Sequence, residues 1–290
     1  MRLIVFGGDE RMLGVLQAAQ QAGWETVHIA GEDDVPEQLE GADAVMLPWP
    51  RSFRDDRLVA APGAKPMKRE RVLSLIPPCR AAVAGGVEED ALPMVQRLVR
   101  PEKDEAFLRK NAQLTAEGAV LEVLRRRRHA LLESTAMITG FGRIGQEMAV
   151  RLCALGMFVI VCARSESQMH MAHGMGAHPV PLRQIASACA QADVVINTVP
   201  ARVLNRSALE QLRRHTPIIE LASAPYGLDL EEAVQMGLEV AVESGLPGRY
   251  APLDAGKALF EALLRGMEIP SGRPEETQAH EAGKGENSHG

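Results

Sequence analysis

The sequence predicts an α/β fold of two doubly wound parallel-sheet domains, and three observations predict it. Short apolar strands alternate with amphipathic helical stretches along most of the chain. A glycine-rich turn, Gly140–Gly145, stands between a strand and a helix, and one long helical pattern separates two runs of strands. The 290 residues are too many for one ordinary domain and comfortable for two.

In the first third, strands are expected at Arg2–Phe6, Glu25–Ile29, Ala44–Leu47 and Arg80–Ala84, with helices at Arg11–Ala22 and Glu88–Val99. Between Trp49 and Pro78 the prolines Pro50, Pro62, Pro66, Pro77 and Pro78 interrupt regular structure. A long helix is expected from Asn111 to Leu132, with Leu114, Val120, Leu121 and Leu124 at helical spacing. It ends in Arg125-Arg126-Arg127-Arg128, charges that complement the helix dipole and solvate the outer face. From Ser134 the alternation sharpens. Strands at Thr135–Thr139, Met157–Ala163, Asp193–Thr198, Thr216–Leu221 and Leu238–Val242 enclose helices near Ile144–Ala154, Ser167–Met175, Leu182–Ala190, Ser207–Arg213 and Leu230–Gln235. A final helix covers Ala251–Met267, and Ser271–Gly290 has no apolar periodicity and is expected to be disordered, His280 and His289 included.

Composition narrows the function classes. A net charge of −6 offers no pull toward nucleic acid or anionic membranes, and 3% aromatic residues leave no stacking platform for single strands. The longest apolar run, Met157–Ala163, is too short to span a bilayer, and the N-terminal apolar run is too short for a signal peptide. A soluble, cytoplasmic protein is expected. Cys79, Cys153, Cys162 and Cys189 lack metal-ligand or C-x-x-C spacing, so reduced thiols and no metal site are expected.

Gly140-Phe141-Gly142-Arg143-Ile144-Gly145 follows a strand and opens a helix, the context that turns G-x-G-x-x-G into a dinucleotide-binding turn of a Rossmann-like domain. Gly140 makes the tight turn, Gly142 lets the backbone approach a pyrophosphate, and Gly145 allows close helix–strand packing. The pyrophosphate then rests on the helix N-terminus. The second strand ends in Arg164-Ser165, where NAD sites usually carry a carboxylate. An arginine fork and a serine hydroxyl suit a 2′-phosphate, so NADP is expected; a strand one residue longer would bring Glu166 into play and favour NAD. Thr198, Val199 and Pro200 close the next strand, and Ser223 the one after, at positions where bound cofactor passes.

Seven ordered segments resemble the first of the two chains that make up dipicolinate synthases. They are Gly7-Gly8-Asp9-Glu10-Arg11, Leu114-Thr115-Ala116-Glu117-Gly118, Gly140–Gly145, Ala163-Arg164-Ser165, Ile196–Pro200, Leu221-Ala222-Ser223 and Gly245-Leu246-Pro247-Gly248. The resemblance extends from residue 1 to about 267. It implies an NADP-dependent oxidoreductase that makes dipicolinate from a dihydro- or hydroxy-tetrahydrodipicolinate in the mother cell of a sporulating bacterium. It also implies a second, flavoprotein-like B subunit, any flavin belonging to that partner.

The wider architecture is similar to the D-2-hydroxyacid dehydrogenases, which implies two Rossmann-like domains joined by a long interdomain helix, with a C-terminal helix crossing back. On that plan residues 1–110 form the substrate domain, 111–133 the interdomain helix and 134–248 the NADP domain; 249–268 return to the first domain, and 269–290 form the tail. Two departures disfavour plain hydroxyacid oxidation: no arginine follows Ile218–Ala222, and no histidine stands near Gly245–Arg249.

A dicarboxylate substrate calls for arginines or backbone amides. Candidates are Arg11 with the amides at Gly7, Gly8 and Asp9, then Asn111, Thr115 and Glu117 from the joining helix, then Ser223, Gly248 and Arg249. Glu117, with Thr115, is the expected catalytic group, since a carboxylate in a closed cleft can act as a base. Asp9 and Arg11 could equally be an N-cap and a surface charge, and Thr115 and Glu117 ordinary helix residues. Two other functions remain open: a non-catalytic NADP-binding protein, and an NADP-linked dehydrogenase of a small hydroxy or keto acid. A homo-oligomer is possible, although no segment identifies an interface.

Overall fold

Two all-parallel sheets carry the chain, each covered by helices on its faces. The computed structural model describes residues 1–268; the tail, with His280 and His289, lies outside the described residues. The first sheet has the order β2-β1-β3-β6-β7, from β1 (Arg2–Phe6), β2 (Glu25–Ile29), β3 (Ala44–Met46), β6 (Ala81–Val83) and β7 (Leu98–Val99). Around it lie α1 (Arg11–Gln21), a small hairpin β4 (Phe53–Arg54) and β5 (Arg57–Leu58), and α2 (Arg69–Leu75). Then α3 (Glu105–Arg126) leads to the second sheet.

That sheet has the order β10-β9-β8-β11-β12-β13. Its strands are β8 (Thr135–Thr139), β9 (Phe158–Ala163), β10 (His178–Pro181), β11 (Val194–Asn197), β12 (Ile218–Glu220) and β13 (Val240–Val242). The helices between them are α4 (Arg143–Ala154), α5 (Glu166–Gly174), α6 (Ile185–Cys189), α7 (Arg206–Leu209) and α8 (Leu230–Gln235). The chain returns through α9 (Leu246–Tyr250) and α10 (Pro252–Glu268). The strand order steps outward from β8 in both directions, which is the doubly wound arrangement and places a crevice at the carboxyl ends of β8 and β11.

Both faces of each sheet are covered, so the central strands are continuous apolar runs. Leu3, Ile4, Val5 and Phe6 are all fully buried, as are Met137 and Ile138. The helix α3 is buried in both halves: Phe107 belongs to the core under α1 and α10, whereas Ala116, Ala119 and Val123 belong to the core under α4. Burial pushes the Cys79 and Cys189 thiols up to about 11 and Cys162 to about 12, so these free cysteines are unreactive apolar filler.

Several expected elements differ. The helix expected at Glu88–Val99 is a single 3-10 turn, Glu89–Ala91, followed by the short strand β7; Pro93 stops helix propagation. The joining helix begins six residues earlier than expected because Asp104 caps it, accepting from the amides of Ala106 (2.9 Å) and Phe107 (3.2 Å). It stops at Arg126 rather than Leu132. The proline-rich region holds α2 and the hairpin β4–β5, and β10 has no counterpart among the expected strands.

The return helix α10 packs on α1 through reciprocal glycines. An added Cβ on Gly256 would lie 1.9 Å from the Arg11 carbonyl oxygen, and one on Gly14 would lie 2.2 Å from that of Leu253. Trp24 and Phe260 meet edge to face at 5.6 Å. At its far end Arg265 donates to Asp104 (2.8 Å), tying α10 to the cap of α3. Gly256→Val should overpack this seam and cost about 1–3 kcal/mol, lowering the melting temperature by about 2–4 °C per kcal/mol. Thermal unfolding of the two proteins measures it.

Candidate functional site

The glycines of the turn after β8 each meet a distinct steric demand. Gly140 has φ +85, and a Cβ there would lie 2.8 Å from Thr198 Oγ1 and 2.6 Å from Val199. A Cβ on Gly145 would lie 2.4 Å from the Gly140 carbonyl oxygen, so α4 can sit against the turn only without a side chain. A Cβ on Gly142 would meet nothing within 4 Å: it points into open space at the start of α4, where a pyrophosphate would lie against the helix N-terminus.

Three cavities run past this turn and share walls. The first, about 220 Å³, lies between Gly140–Gly142, the end of β9 and Thr198–Pro200. The second, about 210 Å³, shares Gly142 and Thr198 with it and adds Asn111, Arg143 and Ile144. The third, about 490 Å³, shares Asn111 and Ile144 with the second and opens between the two sheets. Together they form a trough across the carboxyl ends of the strands, suited to an extended dinucleotide with a substrate at its far end.

The first cavity holds Arg164, which directly follows β9 and makes no ion pair among the described residues. Ser165 caps α5, its hydroxyl accepting from the Gln168 amide at 3.2 Å. Glu166 is the first residue of α5 and lies outside the cavity wall. Phe141 is buried in the core, so its backbone faces the trough and its ring does not. Arg143 pairs with Glu105, Nε to Oε1 at 3.1 Å, and Glu105 also holds Arg109 at 3.0 Å.

The large cavity gathers residues from both halves. Arg11 enters from α1, Asn111 and Thr115 from α3, Ser223 and Tyr226 from the segment after β12, and Glu243–Gly248 from the segment after β13. Asp9 grips the Arg11 guanidinium with two oxygens, Nε–Oδ1 at 2.8 Å and Nη2–Oδ2 at 2.8 Å. Burial alone would raise the Asp9 carboxyl, but Arg11 outweighs it and holds it below the usual range. Gly248 is bare where Arg11 passes; a Cβ there would lie 3.2 Å from Nε.

Some expected site residues lie elsewhere. Glu117 is outside the cavity and pairs with Arg151 of α4 at 3.3 Å. Thr115 and Glu117 are two residues apart, about 200° around a helix, and cannot both face one cleft. Arg249 turns away from the cavity, pairs with Glu243 and stacks on Tyr250 at 5.5 Å. The Gly7 and Gly8 amides are already bonded, to the carbonyls of Ile29 (2.8 Å) and Val59 (2.6 Å), so they offer nothing to a ligand. Thr115 faces the cavity while its hydroxyl donates to the Asn111 carbonyl at 2.7 Å. Sequence reasoning missed Glu243 and Tyr226. Glu243 stands directly after a strand terminus, the signal that could have found it.

The wall bearing Glu243 is bound to α3 by a charge network. Glu122, 3% exposed, accepts from the Tyr250 hydroxyl and from Arg126 and Arg125. Arg126 also reaches Glu243 at 2.8 Å, and Arg249 holds the other Glu243 oxygen. Gly118 makes room: a Cβ there would lie 2.8 Å from the Tyr250 ring. Two of the four consecutive arginines thus hold this wall in addition to solvating the helix.

The fold and the glycine turn define a two-domain protein with a Rossmann-type dinucleotide-binding half, and the comparisons agree with a nicotinamide-dinucleotide oxidoreductase. Residues 107–227 match the family model for the D-isomer specific 2-hydroxyacid dehydrogenase, NAD binding domain. The dipicolinate synthase A protein of Bacillus subtilis (strain 168) is 25% identical over 294 residues, covering 91% of this chain and 95% of that protein. The crystal structure of its counterpart from Bacillus halodurans superposes with a TM-score of 0.77 at 25% identity, over 93% of this chain and 98% of that one. A transhydrogenase from Sinorhizobium meliloti shares the fold, with a TM-score of 0.63 at 15% identity, over 89% and 91% of the two chains. The chain therefore resembles the dipicolinate synthase A protein almost end to end. No described helix is long and apolar enough to cross a membrane.

Burial would raise the Glu122 carboxyl, but the Tyr250 hydroxyl and Arg126 outweigh it and lower it from its ordinary 4.5. A lowered carboxyl stabilises the fold above its unfolded value and loses that contribution as pH falls through its folded value. The melting temperature of Glu122→Gln should therefore sit below wild type by a constant margin above about pH 5.5 and converge below the ordinary carboxylate range. Parallel melts from about pH 3 to about pH 8, a span that brackets that range, check this.

Proposed function

We propose that this chain is the NADP-linked dehydrogenase component of a dipicolinate synthase, forming dipicolinate from a dihydro- or hydroxy-tetrahydrodipicolinate. The observation that carries the reading is the near end-to-end likeness to the dipicolinate synthase A protein, joined to a trough that ends in an arginine-bearing cavity. The residues fit a dinucleotide: Gly142 leaves open space at the start of α4, and Arg164 faces the first cavity with no ion-pair partner among the described residues. Arg164 at the strand end, with no carboxylate in that wall, supports NADP over NAD. When bound, the dinucleotide supplies the hydride acceptor.

The chain's own residues bind, orient and take up a proton. Arg11, fixed by Asp9, receives one substrate carboxylate, and Asn111, Thr115 and Ser223 flank the ring. Apolar walls from Phe107, Ile144 and Leu246 exclude water. Glu243 is the carboxylate that lines this cavity; Arg126 and Arg249 hold one oxygen each, which leaves each oxygen a second lone pair, and it takes the role of proton acceptor in place of Glu117, which lies outside. Loss of a ring hydride and a ring proton turns the dihydro precursor into the aromatic product, a hydroxy-tetrahydro precursor losing water first, and gain of aromaticity drives the step. No arginine follows β12 and no histidine lines the cavity, so the arrangement does not support plain hydroxyacid oxidation. By the same likeness, the chain works with a B subunit in the cytoplasm of a sporulating mother cell.

The test is to mix the chain with NADP or NAD and freshly made dihydrodipicolinate precursor, with and without a B subunit, and follow dipicolinate by its ultraviolet absorbance. NADP-dependent product is expected. Arg164→Ala should lower kcat/KM for NADP by about tenfold or more, the scale of a lost charge-assisted phosphate contact, and change that for NAD far less. No product in either mixture, or equal use of both dinucleotides by the wild type, would overturn the corresponding half of the reading.

A further inference from the structure

Three fully buried polar side chains meet where β8, β11 and β12 end: Thr139, Asn197 and Glu220. Thr139 donates its hydroxyl to Asn197 Oδ1. Asn197 Nδ2 donates to Glu220 Oε1 (2.7 Å) and to the Val199 carbonyl (2.9 Å), while its Oδ1 accepts from the Val199 amide (3.2 Å). Glu220 Oε1 also accepts from the Ala222 amide (2.8 Å), and Oε2 from the Gly227 amide (2.9 Å). No cation pairs with Glu220 among the described residues. Burial pushes its carboxyl up, and these three donors oppose the shift.

The two amides that Glu220 holds bracket the segment lining the large cavity. Within the bracket, the Tyr226 amide donates to the Ser223 carbonyl at 3.1 Å and closes a turn. Tyr226 itself has φ +62, a left-handed conformation that a bulky side chain rarely adopts. The next residue, Gly227, lies so close to Asn197 that a Cβ would be 2.3 Å from Nδ2. Such a conformation persists only where its surroundings enforce it, and the enforcing group is the carboxylate beneath. Through Asn197 the same carboxylate reaches Val199, whose side chain packs over Gly140 in the dinucleotide trough.

We infer that Glu220 is a positioning residue: it clamps the segment from Ala222 to Gly227 into the shape that presents Ser223 and Tyr226 to the substrate. The inference rests on reading the trough and cavity as the site of dehydrogenation. The chemistry of the clamp requires an anion. All three groups facing Glu220 are donors, so a glutamine, with one oxygen and one amide nitrogen, must turn N–H against N–H whichever way it flips. Aspartate keeps two acceptor oxygens on a shorter stem. A residue that merely fills space would rank the two replacements in the opposite order, since glutamine preserves volume and aspartate does not.

Amide hydrogen exchange tests the clamp without a substrate. In the wild type the Ala222 and Gly227 amides should be protected although they lie in a loop. In Glu220→Gln they should exchange about tenfold faster or more, the scale of one lost buried hydrogen bond, while Ile219 keeps its protection and Glu220→Asp falls between. In the dipicolinate assay Glu220→Gln should lose about tenfold or more in kcat on the same scale, with NADP affinity close to wild type, and Glu220→Asp should recover part of the loss. Unprotected amides in the wild type would overturn the inference, as would a glutamine variant as protected and active as wild type, or an aspartate variant worse than glutamine. If the wild type makes no dipicolinate, the proposed function fails, and the exchange measurement still decides the clamp.

Discussion

One helix is buried in both halves of this molecule, and the position of everything at the site follows from it. Phe107, near the start of α3, packs under the first sheet, and Ala116, Ala119 and Val123 pack under the second. The 22 residues give a rod about 33 Å long, so the two cores are set at a fixed separation. Asp104 anchors the rod at one end, capping it while holding Arg265 of the returning helix. Glu122 anchors the other end, holding Arg126 and Tyr250. Between the anchors, Asn111 and Thr115 face the gap between the sheets. The site exists because a helix that must satisfy two cores leaves its middle turns facing neither.

Charge is handled differently at each level of the trough. The dinucleotide end carries an open glycine turn and Arg164, which has no ion-pair partner among the described residues, a surface prepared for phosphate. The large cavity carries a cation that is already paired, Arg11 with Asp9, while Arg126 and Arg249 stand behind its wall and hold Glu243. Pre-pairing holds a guanidinium in one orientation, so a carboxylate ligand meets a fixed fork at little ordering cost. Beneath both ends, the Glu220 carboxyl has donors alone around it, an arrangement that shapes backbone more than it attracts ligand.

The fold class was legible because its signals are local. Strand–turn–helix spacing around Gly140–Gly145 requires a particular steric pattern: Gly140 and Gly145 each face an atom that a side chain would strike, and Gly142 faces open space. What escaped was non-local or short. The joining helix has the length expected but lies six residues earlier along the chain, because its cap, Asp104, sits behind Pro101-Glu102-Lys103, which reads as loop. The strand β10 contains Pro179 and Pro181, tolerable only because it lies at the sheet edge, a fact that pairing alone reveals. Glu243 meets Arg126 across 117 positions of sequence, and no spacing rule reaches that far. Glu117 was a different failure: the helical angle between it and Thr115 already forbade a shared face. Tyr226 was invisible because its significance lies in a backbone angle, and the neighbouring Gly227 draws attention to itself instead.

A dinucleotide lying along the trough with its 2′-phosphate at Arg164, and a pyridine dicarboxylate at the far end, is the arrangement on which the functional reading stands. A crystal structure of the chain with NADP and dipicolinate tests it most directly. The account predicts the 2′-phosphate on the Arg164 guanidinium, the pyrophosphate over Gly142 and Arg143, and a dipicolinate carboxylate on Arg11 with its ring beside Ser223. A dinucleotide bound elsewhere, or a dipicolinate that does not touch Arg11, would contradict it.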